Sequence, residues 1–143
     1  MNKLFLSLTI IFSISAFASA EVFIISPKNG EKVSSPVEVI FGLKGMGIAP
    51  AGVNFPNSGH HHLLINLNEL PDLKSGIPAD ANHLHFGKGQ TQALIELDPG
   101  EHTLQLLLGD WMHVPHEIPV VSEKVKIFVS VSYTHLRAHE TRT

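Results

Sequence analysis

The feature that most constrains this chain is a period-two alternation of apolar residues, held in short segments that Pro, Gly and Asn divide. In Val37-Glu38-Val39-Ile40-Phe41-Gly42-Leu43, the residues Val37, Val39, Phe41 and Leu43 recur at every second position. Successive side chains of an extended strand point to opposite faces, so this spacing gathers the four on one face. Val22 to Ile25 reads as another short strand. From His61 to Leu67 the alternation puts His61, Leu63, Ile65 and Leu67 on one side, and His60, His62, Leu64 and Asn66 on the other. Thr91 to Leu97 and His102 to Leu108 read as two strands joined in a hairpin by Asp98-Pro99-Gly100-Glu101. Glu123 to Val129 closes the pattern, with Val125, Ile127 and Val129 inward. Between these segments lie loops rich in turn-forming residues, notably Lys44 to Gly59, Glu69 to Asn82 and Gly109 to Pro119. No run of ten residues keeps a helical period. The expectation is an all-β fold: a small antiparallel, immunoglobulin-like β-sandwich of about seven strands with long histidine-containing loops.

The ends of the 143-residue chain follow other rules. Residues 1–20 read as a cleavable signal peptide, with Lys3, an apolar run from Leu4 to Phe17, and the small-residue site Ala18-Ser19-Ala20. The run is shorter than the ~20 residues that span a bilayer. A periplasmic or secreted protein is expected, with no membrane insertion after cleavage. Residues 130–143 read as a non-native tail, because Val131 to Thr141 looks like a peptide translated from sequencing-adapter DNA. His135, His139 and both arginines of the chain are therefore set aside. The domain expected to fold spans residues 21–129.

Within those residues seven lysines stand against twelve acidic residues, a net charge of −5. An acidic surface without a basic run argues against nucleic acid as a partner. No cysteine is present, so any binding of a soft metal falls to imidazole, thioether and carboxylate.

Eight histidines occupy the same stretch, and they are clustered: His60-His61-His62, His83 and His85, His113 and His116, with His102 apart. Residues i and i+2 of a strand lie about 6.6 Å apart on one face. Two imidazoles so placed can lean toward a single ion at roughly 2.0–2.1 Å. His60/His62 and His83/His85 have this form, and Pro115 stiffens the loop that holds His113 and His116. The candidate metal ligands are thus His60, His62, His83, His85, His113 and His116, and copper or zinc is the implied ion. His61 shares the face of Leu63 and Ile65 and reads as a half-buried core residue. His102 reads as structural at a strand end. In Asp110-Trp111-Met112-His113, Asp110 is a candidate to orient an imidazole, and Met112 offers a thioether suited to Cu(I). Trp111 and Met112 read first as cover for an edge of the core.

These motifs carry a resemblance. Ile25-Ser26-Pro27-Lys28-Asn29-Gly30, Gly45-Met46-Gly47-Ile48-Ala49-Pro50-Ala51-Gly52, Gly59-His60-His61-His62-Leu63-Leu64-Ile65 and His83-Leu84-His85-Phe86-Gly87 are the main ones. With Leu108-Gly109-Asp110 to Lys124, they make residues 22–129 resemble a family of exported bacterial proteins, domain of unknown function 4399. The resemblance implies export and a compact domain, and it implies no reaction. Family members tend to carry Asp-His-x-His-x-Pro-His in the last motif, and here Trp111 stands in place of the first of those histidines.

Three functions fit the residues. The first is a periplasmic metal-binding module acting in copper or zinc buffering, delivery or resistance, with the metal ion and another envelope protein as partners. The second is a non-catalytic interaction or adhesion domain whose histidines are structural or pH-responsive. The third is a metal hydrolase with Glu69, Asp72 or Asp80 as general base, which the spacing of those residues supports least. Gly87-Lys88-Gly89-Gln90 lacks the spacing of a phosphate loop, and no G-x-S-x-G is present.

Overall fold

The alternating segments form strands whose inward faces meet as two sheets. The computed structural model describes residues 19–132. Residues 1–18 of the expected signal peptide, and residues 133–143 of the expected tail, lie outside the described residues. In chain order the strands are β1 (Glu21–Ser26), β2 (Glu31–Val33), β3 (Val37–Lys44), β4 (Gly47–Ile48), β5 (Ser58–Ile65), β6 (His83–His85), β7 (Gln92–Ile95), β8 (Gly100–Gly109) and β9 (Val125–Val129). One sheet is antiparallel, in the order β1-β3-β7. The other runs β2-β9-β8-β5-β4, with β6 also paired to β5. In this larger sheet β2 is parallel to β9 and β4 is parallel to β5, while the remaining pairs are antiparallel. The fold is the expected all-β sandwich. Among the described residues no helix is long and apolar enough to cross a membrane.

The core lies between the sheets. Val22, Ile24, Val37, Val39 and Phe41 come from the smaller sheet, and Leu63, Ile65, Leu104, Leu106, Leu108, Ile127 and Val129 from the larger, all buried. Each such side chain contributes about 1.5–3 kcal/mol on burial, which is how a chain without disulfides holds together.

A second apolar cluster sits on the opposite face of the larger sheet. Leu64 of β5 and Leu107 of β8 pack there against Ile77, with Leu67, Leu73 and Val121 around them. The long segment between β5 and β6 therefore lies over the sheet as a cover. Ile77 N–H donates to the His113 carbonyl (2.7 Å), which ties this cover to the loop after β8. As a result β5 is buried along its whole length and on both faces.

One expectation is corrected. Gln92–Ile95 and the strand beginning at Gly100 do not form a hairpin: β7 pairs with β3, whereas β8 pairs with β5 and β9. The Asp98-Pro99-Gly100-Glu101 segment crosses from one sheet to the other. The same turn-forming residues serve a hairpin or an arch between layers, and the pairing partner is set by what each strand buries.

Candidate metal centre

The position of β5 explains why histidines from three segments meet. Strand β5 lies between β6 and β8. His60 and His62 point to its outer face, two residues apart. His85 on β6 stands opposite His62 in the antiparallel register, and Gly109, the last residue of β8, stands opposite His60. Side chains of directly opposed residues are natural neighbours on a sheet face. The chain turns after Gly109 and brings His113 back over the same place.

One ligand nitrogen from each of His60, His85 and His113 lies within 4.8 Å of the other two. The Nε2 atoms of His60 and His85 are 3.1 Å apart. The edge of a tetrahedron with ~2.0–2.1 Å metal–nitrogen bonds is roughly 3.3 Å. That pair already has the separation that a shared ion requires, and the third ring needs a movement of an ångström or so. The His62 ring lies 4.8 Å from His60 and 5.0 Å from His85, centroid to centroid, and 6.2 Å from His113.

His113 is presented by a strained turn. Its φ is +65°, the left-handed region that a non-glycine residue adopts only where its surroundings impose it. Here Asp110 imposes it. Its Oδ1 accepts from the backbone N–H of Met112 (2.8 Å) and of Val114 (2.9 Å), and the Asp110 and Val114 backbones bond each other (2.8 Å). Asp110 was expected to hold an imidazole directly; it instead holds the backbone that carries one.

Two glycines make room for the rings. A Cβ on Gly109 would stand 2.6 Å from Cε1 of His62, and a Cβ on Gly87 would overlap Cε1 and Nε2 of His85. Neither glycine has a positive φ, so their role is space.

The surroundings of His60, His62 and His85 favour the neutral ring. Burial first, then the neighbouring His85 and His113, pushes His60 down to about 4, against a small opposing pull from Asp110. Burial and the adjacent His60 push His62 down to about 3. His85 is lowered by burial and by His113. Neutral imidazole is the form that binds a metal. The centre also carries unmet bonding capacity, because Nδ1 of His60 and Nδ1 of His62 are sealed from solvent without a hydrogen-bond partner. Such an orphan costs about 1–3 kcal/mol, so apolar packing alone does not account for histidine here.

The other histidines fall outside this group. Nδ1 of His83 donates to Asp80 Oδ1 (2.8 Å). Nε2 of His116 donates to the Ser58 carbonyl (3.0 Å), and its Nδ1 is buried without a partner. His102 Nε2 donates to the Asp98 carbonyl (2.7 Å), which leaves Nδ1 to accept from Asn66 Nδ2 (2.9 Å); it fastens a strand end, as expected. His61 faces the core against Phe41, 5.1 Å between ring centroids. It is fully rather than half buried, and neither nitrogen has a partner. Burial pushes it down to about 4. Trp111 and Met112 are exposed and do not cover the core. The hydrolase reading loses two of its bases: Asp72 is engaged with Lys74 N–H and Ser75, and Asp80 with Asn82 N–H and His83.

Sequence reasoning found the three converging histidines and missed Gly87 and Gly109. The signal was available, since each glycine lies within two residues of a histidine or of the loop carrying one, but its meaning depends on the register.

Comparison with known proteins agrees with the motif resemblance. The family described as domain of unknown function (DUF4399) matches residues 39–130, more than half of the chain, and includes every histidine of the centre. The chain belongs to that family. No curated protein and no solved structure matches it.

Proposed function

We propose that this protein is an exported metal-binding module, periplasmic or secreted, that takes copper or zinc for buffering, delivery or resistance. The observation that carries the reading is the meeting of His60, His85 and His113, drawn from three separate segments, with nitrogens within 4.8 Å of one another. His62 completes the set by rotation of its ring within the space beside Gly109. An all-imidazole donor set favours copper and zinc over magnesium, calcium or manganese, which prefer oxygen. The six sequence candidates thereby narrow to four, with His83 held by Asp80 and His116 by Ser58.

Chelator-stripped protein titrated with Cu²⁺ and with Zn²⁺ tests this. At 100 times Kd the ion adds roughly 2.7 kcal/mol to stability, seen as a rise in Tm. His85→Ala and His113→Ala each abolish the rise, and His83→Gln and His102→Gln keep it. If a tenfold excess of either ion leaves Tm unmoved, the protein is not a metal-binding module.

A further inference from the structure

A second feature lies beside the histidine centre and is separate from it. The loop between β4 and β5 and the loop after β8, with Met46 and with Ser19 and Ala20 ahead of β1, border a groove of about 610 Å³, within the size range of ligand pockets. Val53, Phe55, Trp111 and Ile118 line it, and all four are exposed; Phe55 is 67 % and Ile118 83 % accessible. Single exposed apolar residues are ordinary on a protein surface, but a contiguous group rimmed by polar atoms marks an interaction site.

These side chains are held outward by a fixed frame. Gly52 N–H donates to the Trp111 carbonyl (2.9 Å), Ser58 Oγ to the Phe55 carbonyl (2.6 Å), and His116 Nε2 to the Ser58 carbonyl (3.0 Å). Pro56 and Pro119 also border the groove, and each fixes its own φ. Aromatic and aliphatic anchors on a rigid frame lose little entropy when a partner arrives. Among the described residues the charge has one sign, since Asp110 and Glu117 line the groove and no lysine or arginine does.

We propose that this groove is the docking site for an extended apolar peptide segment bearing lysine or arginine, presented by a partner protein. The apolar walls take two or three of its side chains, and the two carboxylates select the basic ones. Anionic partners, phosphate-bearing surfaces included, are disfavoured by the same carboxylates. None of His60, His62, His85 or His113 lines the groove, so docking requires no metal.

Trp111 is the only tryptophan of the chain and reports on the groove by fluorescence. The probe is the peptide acetyl-Lys-Leu-Phe-Leu-Lys-amide, titrated into the protein with and without residues 1–20. A saturable blue shift of Trp111 emission is expected, weakening with added salt. Phe55→Ser and Ile118→Ser each weaken binding roughly tenfold or more, as anchor residues do, while Glu117→Gln weakens it by a few fold. Circular dichroism and Cu²⁺ titration of the two serine variants match the parent and show that they fold. The proposal is overturned if the lysine peptide gives no saturable shift at about 1 mM, or if acetyl-Glu-Leu-Phe-Leu-Glu-amide binds as well. It is overturned equally if sedimentation shows that a second copy of the chain fills the groove, or if the chain lacking residues 1–20 does not bind the lysine peptide.

Discussion

The two faces of β5 are built from adjacent residues of one strand and have opposite chemistry. Inward, His61, Leu63 and Ile65 join a dry layer between the sheets. Outward, His60 and His62 lie beneath two loops, with nitrogens that have no partner in the fold. Both faces are equally buried, so burial does not distinguish them. Orphan nitrogens occur on both faces; the difference is that His61 stands alone among apolar side chains, whereas His60 and His62 stand in a group of rings that includes His85 and His113. A strand carries both because its side chains alternate, and because the cover from the β5–β6 segment keeps water from the outer side.

Acid should have the largest effect, and it acts on both faces. His60 and His61 are held at about 4 and His62 at about 3, against 6.5 for a free imidazole. Between those values the unfolded chain binds more protons than the native one, so stability rises with pH. It is fully present above about pH 6.5 and is lost as pH falls toward 4 and then 3. Each ring contributes about 1.4 kcal/mol per pH unit of displacement. The three shifts have the same direction, so their effects on acidification reinforce one another. Urea melts at pH 7, 6, 5 and 4 should show a steep decline, and a flat profile would refute the neutrality of the rings.

Leu106→Ala comes next. It opens a cavity at a fully buried inner position and should cost about 2–5 kcal/mol, with Zn²⁺ affinity close to the parent's. If affinity fell in proportion, the faces would not be independent. Gly109→Ala places a methyl group against the His62 ring and should cost roughly 1–3 kcal/mol, together with a measurable loss of metal affinity. His61→Leu is the smallest and most discriminating change. It removes two orphan nitrogens from the core and should raise stability by about 1–2 kcal/mol, whereas His62→Leu gains no metal binding and loses what there was. Calorimetry with and without Zn²⁺ separates the two outcomes.

The division between the faces was legible in the sequence, because alternation from His60 to Ile65 assigns each residue a side before any neighbour is known. The H-x-H spacing was equally plain. The partners of those residues were not. Nothing local to Gln92–Ile95 says that its backbone bonds β3 rather than β8. The carboxylate of Asp110 bonds backbone amides that only the folded turn brings to it. His83 and His85 share one spacing and part company because Asp80 lies three residues before the first of them. Spacing specifies direction along a strand, and tertiary pairing decides what stands at the end of it.

Three identical imidazoles followed by three aliphatic residues make β5 an ambiguous string, in which sliding by one position exchanges like for like at most sites. What pins it is Gly59, where any side chain atom would strike the Gly109 carbonyl (2.5 Å) and the His116 ring (2.9 Å). Only a bare α-carbon passes that constriction. The smallest residue of the strand thus acts as its index mark, and it fixes which of the three rings look toward His85 and His113 and which one is sealed away.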